Sequence, residues 1–182
     1  MQNPAQEVES VVKALVEARD ATEQAIALRT YYTPNASFDH PLCSVTSGKQ
    51  SRDHGLLQIY QWLRCMSNST IVVHSKAFDA QKNQLFLEAT QTLRPTLAPF
   101  IGIPARIFVV LRLVKGHDGK YYVLRQEDYY AIQELPGKLA YFGGPFIINT
   151  AKTFAGFMCY LLALWFGIIL GFWKPRPIAP KK

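Results

Sequence analysis

The chain has 182 residues, 49% of them hydrophobic, and a formal net charge of +7. The charge does not point to nucleic acid. Met1 to Glu134 carries 14 Lys and Arg against 13 Asp and Glu, and the excess lies in Lys138, Lys152, Lys174, Arg176, Lys181 and Lys182, around a long apolar run where lipid headgroups are the natural counter-charge. Three mutually distant cysteines (Cys43, Cys65, Cys159) give no disulfide framework, the four scattered histidines have no metal-ligand spacing, and no Gly-rich phosphate loop follows a strand, so neither a metal nor a cofactor is expected.

From the N-terminus, Pro4 to Ala18 reads as a helix, with Val8, Val11, Val12, Leu15 and Val16 on one face. Asp20 is a fitting N-cap for a second helix carrying Ile26, Leu28, Tyr31 and Tyr32, which Thr33-Pro34-Asn35 should stop. Ala36 to Val45 reads as a short strand interrupted at Pro41, and Ser51 to Met66 as a third helix. The period then changes to two. Thr70 to Phe78, Gln84 to Arg94, Arg106 to Lys115 and Tyr121 to Gln133 read as four strands, with turns at Asn83 and at His117-Asp118-Gly119. Short connections favour antiparallel pairing, and a curved sheet over three helices is the economical arrangement, an α+β fold.

Pro95 to Ala105 interrupts the strands with three prolines and no charge, although Leu97, Phe100, Ile101 and Ile103 are apolar. Either the loop packs back on the domain or on a partner, or it dips into lipid headgroups with Arg94 and Arg106 at the phosphate level. Thr153 to Trp173 has no charged residue and ten Leu, Ile or Phe. About 20 such residues span roughly 30 Å, so this segment is expected to cross a bilayer, with Trp165 and Trp173 in contact with it. The expected organisation is a domain over 1–135, an apolar linker over 136–152, the anchor over 153–173 and a basic tail over 174–182. The N-terminus lacks the pattern of a secretory signal. A cytosolic domain inserted by its tail is one topology, the charge bias across the span favours the reverse, and a shallow hairpin is a third. Asn35–Ser37 and Asn68–Thr70 are glycosylation sequons that would report a lumenal domain.

The element order and the run YYTPNASFDHP, with the KGHDGKYY hairpin, resemble the nuclear transport factor 2-like (SnoaL-like) superfamily, and with the C-terminal segment the chain looks most like the fungal SigF-like group. The resemblance implies a cone-shaped domain with an apolar pocket between sheet and helices. In the isomerase branch a strand in this place carries a general base just before a proline, which implies His40, with Asp39 one step earlier. The positions holding that branch's oxyanion-stabilising groups fall near Leu15 or Val16 and near Leu111, so the resemblance does not extend to them.

Alternation puts Phe38 and His40 on one face of their strand and Asp39 on the other. The catalytic candidates are His40, which the resemblance implies as the base, with Asp39 or Asp128 assisting. The candidates for lining a ligand pocket are Phe38, Trp62, His74, Glu88, Leu111 and Tyr130. For the polar ones the solvated outer face of the sheet is the competing reading. Two functions stand side by side. One is a membrane-anchored module binding a hydrophobic ligand such as a lipid, sterol or terpenoid. The other is a cofactor-independent isomerase, cyclase or dehydratase acting on a membrane-soluble polyketide or terpenoid, with His40 as general base. The expected partners are the bilayer, a hydrophobic small molecule and a second copy joined through the sheet face, without nucleic acid. The expected place is the endoplasmic reticulum or lipid-droplet surface, with the domain in the cytosol.

Overall fold

Helix α1 (Pro4–Val16) starts where Pro4, already fixed in φ, follows Asn3, whose side chain accepts from the Gln6 amide. Its Val8, Val11, Val12, Leu15 and Val16 are buried, as their spacing predicts. Helix α2 (Ala21–Tyr31) is capped by Asp20, whose Oδ1 accepts from the amides of Thr22 at 2.7 Å and Glu23 at 2.8 Å. Its buried stripe is Gln24, Ala27 and Leu28, and Ile26 is turned to solvent. Gln24 takes an interior position because its side chain donates to the backbone oxygens of Leu15 and Tyr60, tying α1 and α2 to the next helix. That helix begins as a π-helical stretch, Arg52–Leu56, and continues as α3 (Leu57–Met66).

The computed structural model describes residues 1–41 and 43–130, together with 146, 150, 151, 153–155, 157, 158, 161 and 165. The chain forms two compact units, Met1–Leu135 and Pro136–Lys182. In the first, six strands make one sheet: β1 (Tyr32–His40), β2 (Cys43–Val45), β3 (Ser67–Asp79), β4 (Gln84–Pro95), β5 (Ile103–Lys115) and β6 (Tyr121–Tyr130), in the order β2-β1-β6-β5-β4-β3. The α+β class is as expected, and β3 to β6 form the antiparallel meander. Its turns use Asn83 at φ 51° and Gly119 at φ 78°, both in the left-handed region.

Two expectations hold only in part. Helix α2 does end at Tyr31, just before Thr33-Pro34-Asn35, but that triplet already lies inside β1, which begins at Tyr32 and not at Ala36. Proline is tolerated there because the pairing with β6 is irregular between Tyr32 and Ser37. The β1–β6 pair is also parallel, with Ser37 opposite Arg125, Phe38 opposite Gln126 and Asp39 opposite Glu127. The antiparallel rule follows from short connections, whereas α3 and four strands separate β1 from β6.

The inner face of the sheet carries Phe38, Leu85, Leu87, Ala89, Ile107, Val109, Leu111 and Val123, packed on the buried faces of the helices. Outward-facing positions alternate with these. In the second unit, the described residues from Phe146 to Trp165 are helical. Most of the predicted span Thr153 to Trp173, Trp173 included, lies outside the described residues. Among the described residues no helix is long and apolar enough to cross a membrane.

Candidate functional site

Strand β6 is the source of the site. Between Leu111 and Val109 on its neighbour β5, the inward positions of β6 are Gln126 and Asp128, and Tyr130 follows opposite Ile107. Three polar or amphipathic side chains at period two thus enter an otherwise apolar face. The Gln126 amide oxygen accepts from the hydroxyl of Tyr32 at 2.5 Å and that of Tyr60 at 3.1 Å. Two phenols donating to one oxygen fix the amide, so its nitrogen faces the other way. That nitrogen donates to Asp128 Oδ1 at 2.9 Å. Burial keeps both phenols well above the ordinary tyrosine range, so they stay protonated donors.

Asp128 is a buried carboxyl whose one hydrogen-bond donor among the described residues is a neutral amide. Desolvation dominates, against the smaller opposing effect of that hydrogen bond, and its pKa is pushed up from 3.8 to about 7. The nearby guanidinium groups do not relieve it. Arg125 and Arg112 lie on the outer face, where they pair with Glu127 at 2.6 Å and 3.5 Å, and the Tyr129 hydroxyl donates to the same carboxylate.

His40 joins from β1. Its ring stacks on Phe38 at 6.0 Å between centroids and meets the edge of Tyr130 at 5.0 Å. One residue beyond the last paired position, Asp39 opposite Glu127, the parallel register brings His40 level with Asp128. Burial lowers the His40 pKa from 6.5, with the charge of Asp39 acting weakly in the other direction. The Tyr130 hydroxyl donates to the buried Gln91 at 3.2 Å, and burial raises its pKa too.

The structure therefore brings Phe38, His40, Asp128, Leu111 and Tyr130 to the inner face. The other sequence candidates lie elsewhere. Asp39 is exposed on the outer face, 3.8 Å from Arg125. Trp62 is 62% exposed on α3, because the buried positions of that helix are Leu57 and Tyr60. Glu88 alternates outward between Leu87 and Ala89, pairs with Arg106 and accepts from Ser75. His74 is the extra residue where the β3–β4 register slips between Val73 and Ser75, and it bonds Thr90 on the outer side. Leu111 is fully buried and apolar, opposite Gln126 of β6. Sequence reading missed Tyr32, Tyr60, Gln91 and Gln126. The pattern Gln126-x-Asp128-x-Tyr130 was a usable signal for Gln126; nothing local marks the phenols of a helix end and a helix face as partners. Among the described residues no three His, Cys, Asp or Glu side chains are grouped to hold a metal ion.

The model of the SigF NTF2-like domain family matches residues 1–172. No curated protein has a sequence that matches this chain. Among solved structures, the chain is similar to an LEH-like epoxide hydrolase of M. tuberculosis, with TM-score 0.54 and 11% identity, covering 81% of this chain and 99% of that one. It is similar to a protein assigned as a SnoaL-like polyketide cyclase from Jannaschia sp. CCS1, with TM-score 0.52 and 16% identity over 73% and 92% of the two chains. A protein with a ketosteroid isomerase-like fold from Catenulispora acidiphila gives TM-score 0.51 and 14% identity over 70% and 90%. At such identities these likenesses concern the fold alone.

Proposed function

The chain belongs to the SigF NTF2-like domain family, and from that premise we propose that it is a cofactor-independent proton-transfer catalyst. Its substrate would be a membrane-soluble polyketide or terpenoid meeting the inner face of the sheet at its end, where His40 and Tyr130 are only half-buried. The observation that carries this reading is the buried Asp128 carboxyl, level with His40 and raised to about 7. Burial moves the two groups past each other on the pH scale, so that the carboxyl loses its proton at a higher pH than the imidazolium does. Near neutrality the imidazole is uncharged, and a large share of the carboxyl still holds a proton to give. A carbonyl substrate needs both: His40 removes a proton from the α-carbon while Asp128 donates a hydrogen bond to the oxygen on which charge develops. Asp39, exposed on the other face, has no part in this.

The hydrophobic-ligand reading is contained in this one, since the same face must first bind an apolar molecule. The uncharged stretch Thr153 to Trp173 and its basic flanks support tethering to the endoplasmic reticulum or a lipid droplet, with the domain in the cytosol. Retention of the full chain in carbonate-washed membranes checks the tether, and its release would remove that part of the proposal.

The catalytic part is tested by incubating the protein with apolar ketones in heavy water and reading deuterium at the α-carbon by mass spectrometry. The proposal expects exchange with the wild type that is lost in His40→Gln and in Asp128→Asn. Ligand extracted with the protein but exchange no faster than in either variant would leave a carrier and overturn the catalyst.

A further inference from the structure

The predicted apolar loop is a seven-residue connection between β4 and β5, residues 96–102, and it is held in one place. The Thr96 amide donates to Met66 O at 2.9 Å and the Thr96 hydroxyl to Cys65 O at 2.8 Å, so the loop is pinned to the C-terminal end of α3. Two turns close it, Ala98 N to Pro95 O and Ile101 N to Ala98 O, each at 3.0 Å. Pinned in this way, the loop does not fold its apolar side chains inward. Leu97 is 97% exposed and Phe100 is 85% exposed. Ile103 pairs with Leu93 in β5 and, like Ile101, is half-buried, so neither belongs to the exposed tip. On the helix end that holds the loop, Trp62 and Met66 are exposed as well, one turn apart and hence on one side of α3. Four large apolar side chains from two elements therefore crowd one end of the domain.

No acidic residue occurs between Asp53 and Asp79, or between Glu88 and Asp118, the stretches that carry these side chains; Glu17 of α1 reaches β3 further along the strand, accepting from the Ile71 amide at 2.8 Å. Arg64 and Arg94 stand beside the apolar side chains; Arg64 donates to Asn68, and Arg94 has no ion pair among the described residues. Exposed aromatic and aliphatic side chains beside the Arg64 and Arg94 guanidinium groups match an anionic lipid surface, where rings enter the headgroup region and guanidinium groups meet phosphates.

We infer that this edge, built from Trp62, Met66, Leu97 and Phe100 with Arg64 and Arg94, is a peripheral membrane-docking surface of the folded domain that seats it on anionic lipid. It is separate from the C-terminal apolar segment, and it rests neither on that segment nor on the proton-transfer reading.

The test uses the full chain with Cys43, Cys65 and Cys159 replaced by Ser and one new cysteine carrying an environment-sensitive dye. One protein has Leu97→Cys and the control has Lys82→Cys, at the exposed β3–β4 turn at the other end of β4. Both are reconstituted in phosphatidylcholine vesicles, with and without phosphatidylserine, some with brominated acyl chains. The inference expects several-fold quenching of the dye at 97 by bromine, little at 82, and an increase with phosphatidylserine that Arg64→Gln/Arg94→Gln removes. Leu97 is almost fully exposed, so its replacement leaves the fold intact, as circular dichroism checks. A dye at 97 quenched no more than at 82 overturns the inference. So does shielding that ignores phosphatidylserine and grows with the protein-to-lipid ratio, which would assign the edge to a second copy.

Discussion

At the scale of single residues, the account turns on why one aspartate differs from its neighbour. Glu127 and Asp128 are adjacent, both are buried, and they face opposite sides of the sheet. Glu127 meets two guanidinium groups and a phenol. Asp128 meets an amide whose orientation two tyrosines have already fixed. A carboxylate without a cation in an apolar setting relieves its desolvation by keeping its proton. The consequence for catalysis is specific. Asp128→Asn should lower α-carbon exchange by about 10² to 10⁴-fold, the usual worth of a positioned acid or base. Wild-type activity should fall as pH rises through about 7, where Asp128 loses its proton, and fall again on the acid side once His40 is protonated, below its ordinary 6.5. A pH–rate profile of the wild type, measured with the same ketones, checks both limbs. An activity that keeps rising above the upper limb would assign Asp128 the wrong role.

At the scale of elements, what was legible in the sequence was what local chemistry decides. The five buried residues of α1 follow from a 3.6-residue period. The alternation that sends Phe38 and His40 inward and Asp39 outward follows from a two-residue period, once the strand is granted. Asp20 announced the start of α2 by its side chain alone. Its two hydrogen bonds at 2.7 Å and 2.8 Å predict that Asp20→Ala costs about 1 kcal/mol in urea unfolding, with the m-value unchanged. The parts that stayed hidden were set by distant partners. Pro34 reads as a breaker, yet it is accommodated because the neighbouring ladder is irregular there. His74 reads as an inward position until a register slip turns it out. Trp62, a candidate for lining the pocket, is turned to solvent because the helix buries Leu57 and Tyr60 instead. The site itself was half visible: the resemblance pointed to His40, and strand patterns to Asp128 and Tyr130. The phenols of Tyr32 and Tyr60 could not be named in this way, because their meeting on Gln126 depends on the parallel pairing of β1 with β6 and on the seat of α3.

At the scale of the whole molecule, the buried carboxyl should be felt in stability as well as in chemistry. In the unfolded chain Asp128 ionises near its ordinary 3.8, whereas in the fold it holds its proton to about 7. Between those values the unfolded state has released a proton that the folded state retains, so stability declines as pH rises through the window and is level above it. The decline amounts to a few kcal/mol, from about 1.4 kcal/mol for each unit of displacement. His40, with its lowered pKa, acts in the opposite direction at the acid end, so the wild-type curve alone mixes the two. The difference between wild type and Asp128→Asn isolates the aspartate: the variant should gain relative stability from about pH 4 to about pH 7. A constant difference across that range would deny the burial its energetic effect. The central claim is reached most directly by following the carboxyl carbon of Asp128 by NMR while pH is varied. The account predicts a midpoint about 7 in the wild type, and a midpoint in the ordinary aspartate range near 4 would contradict it.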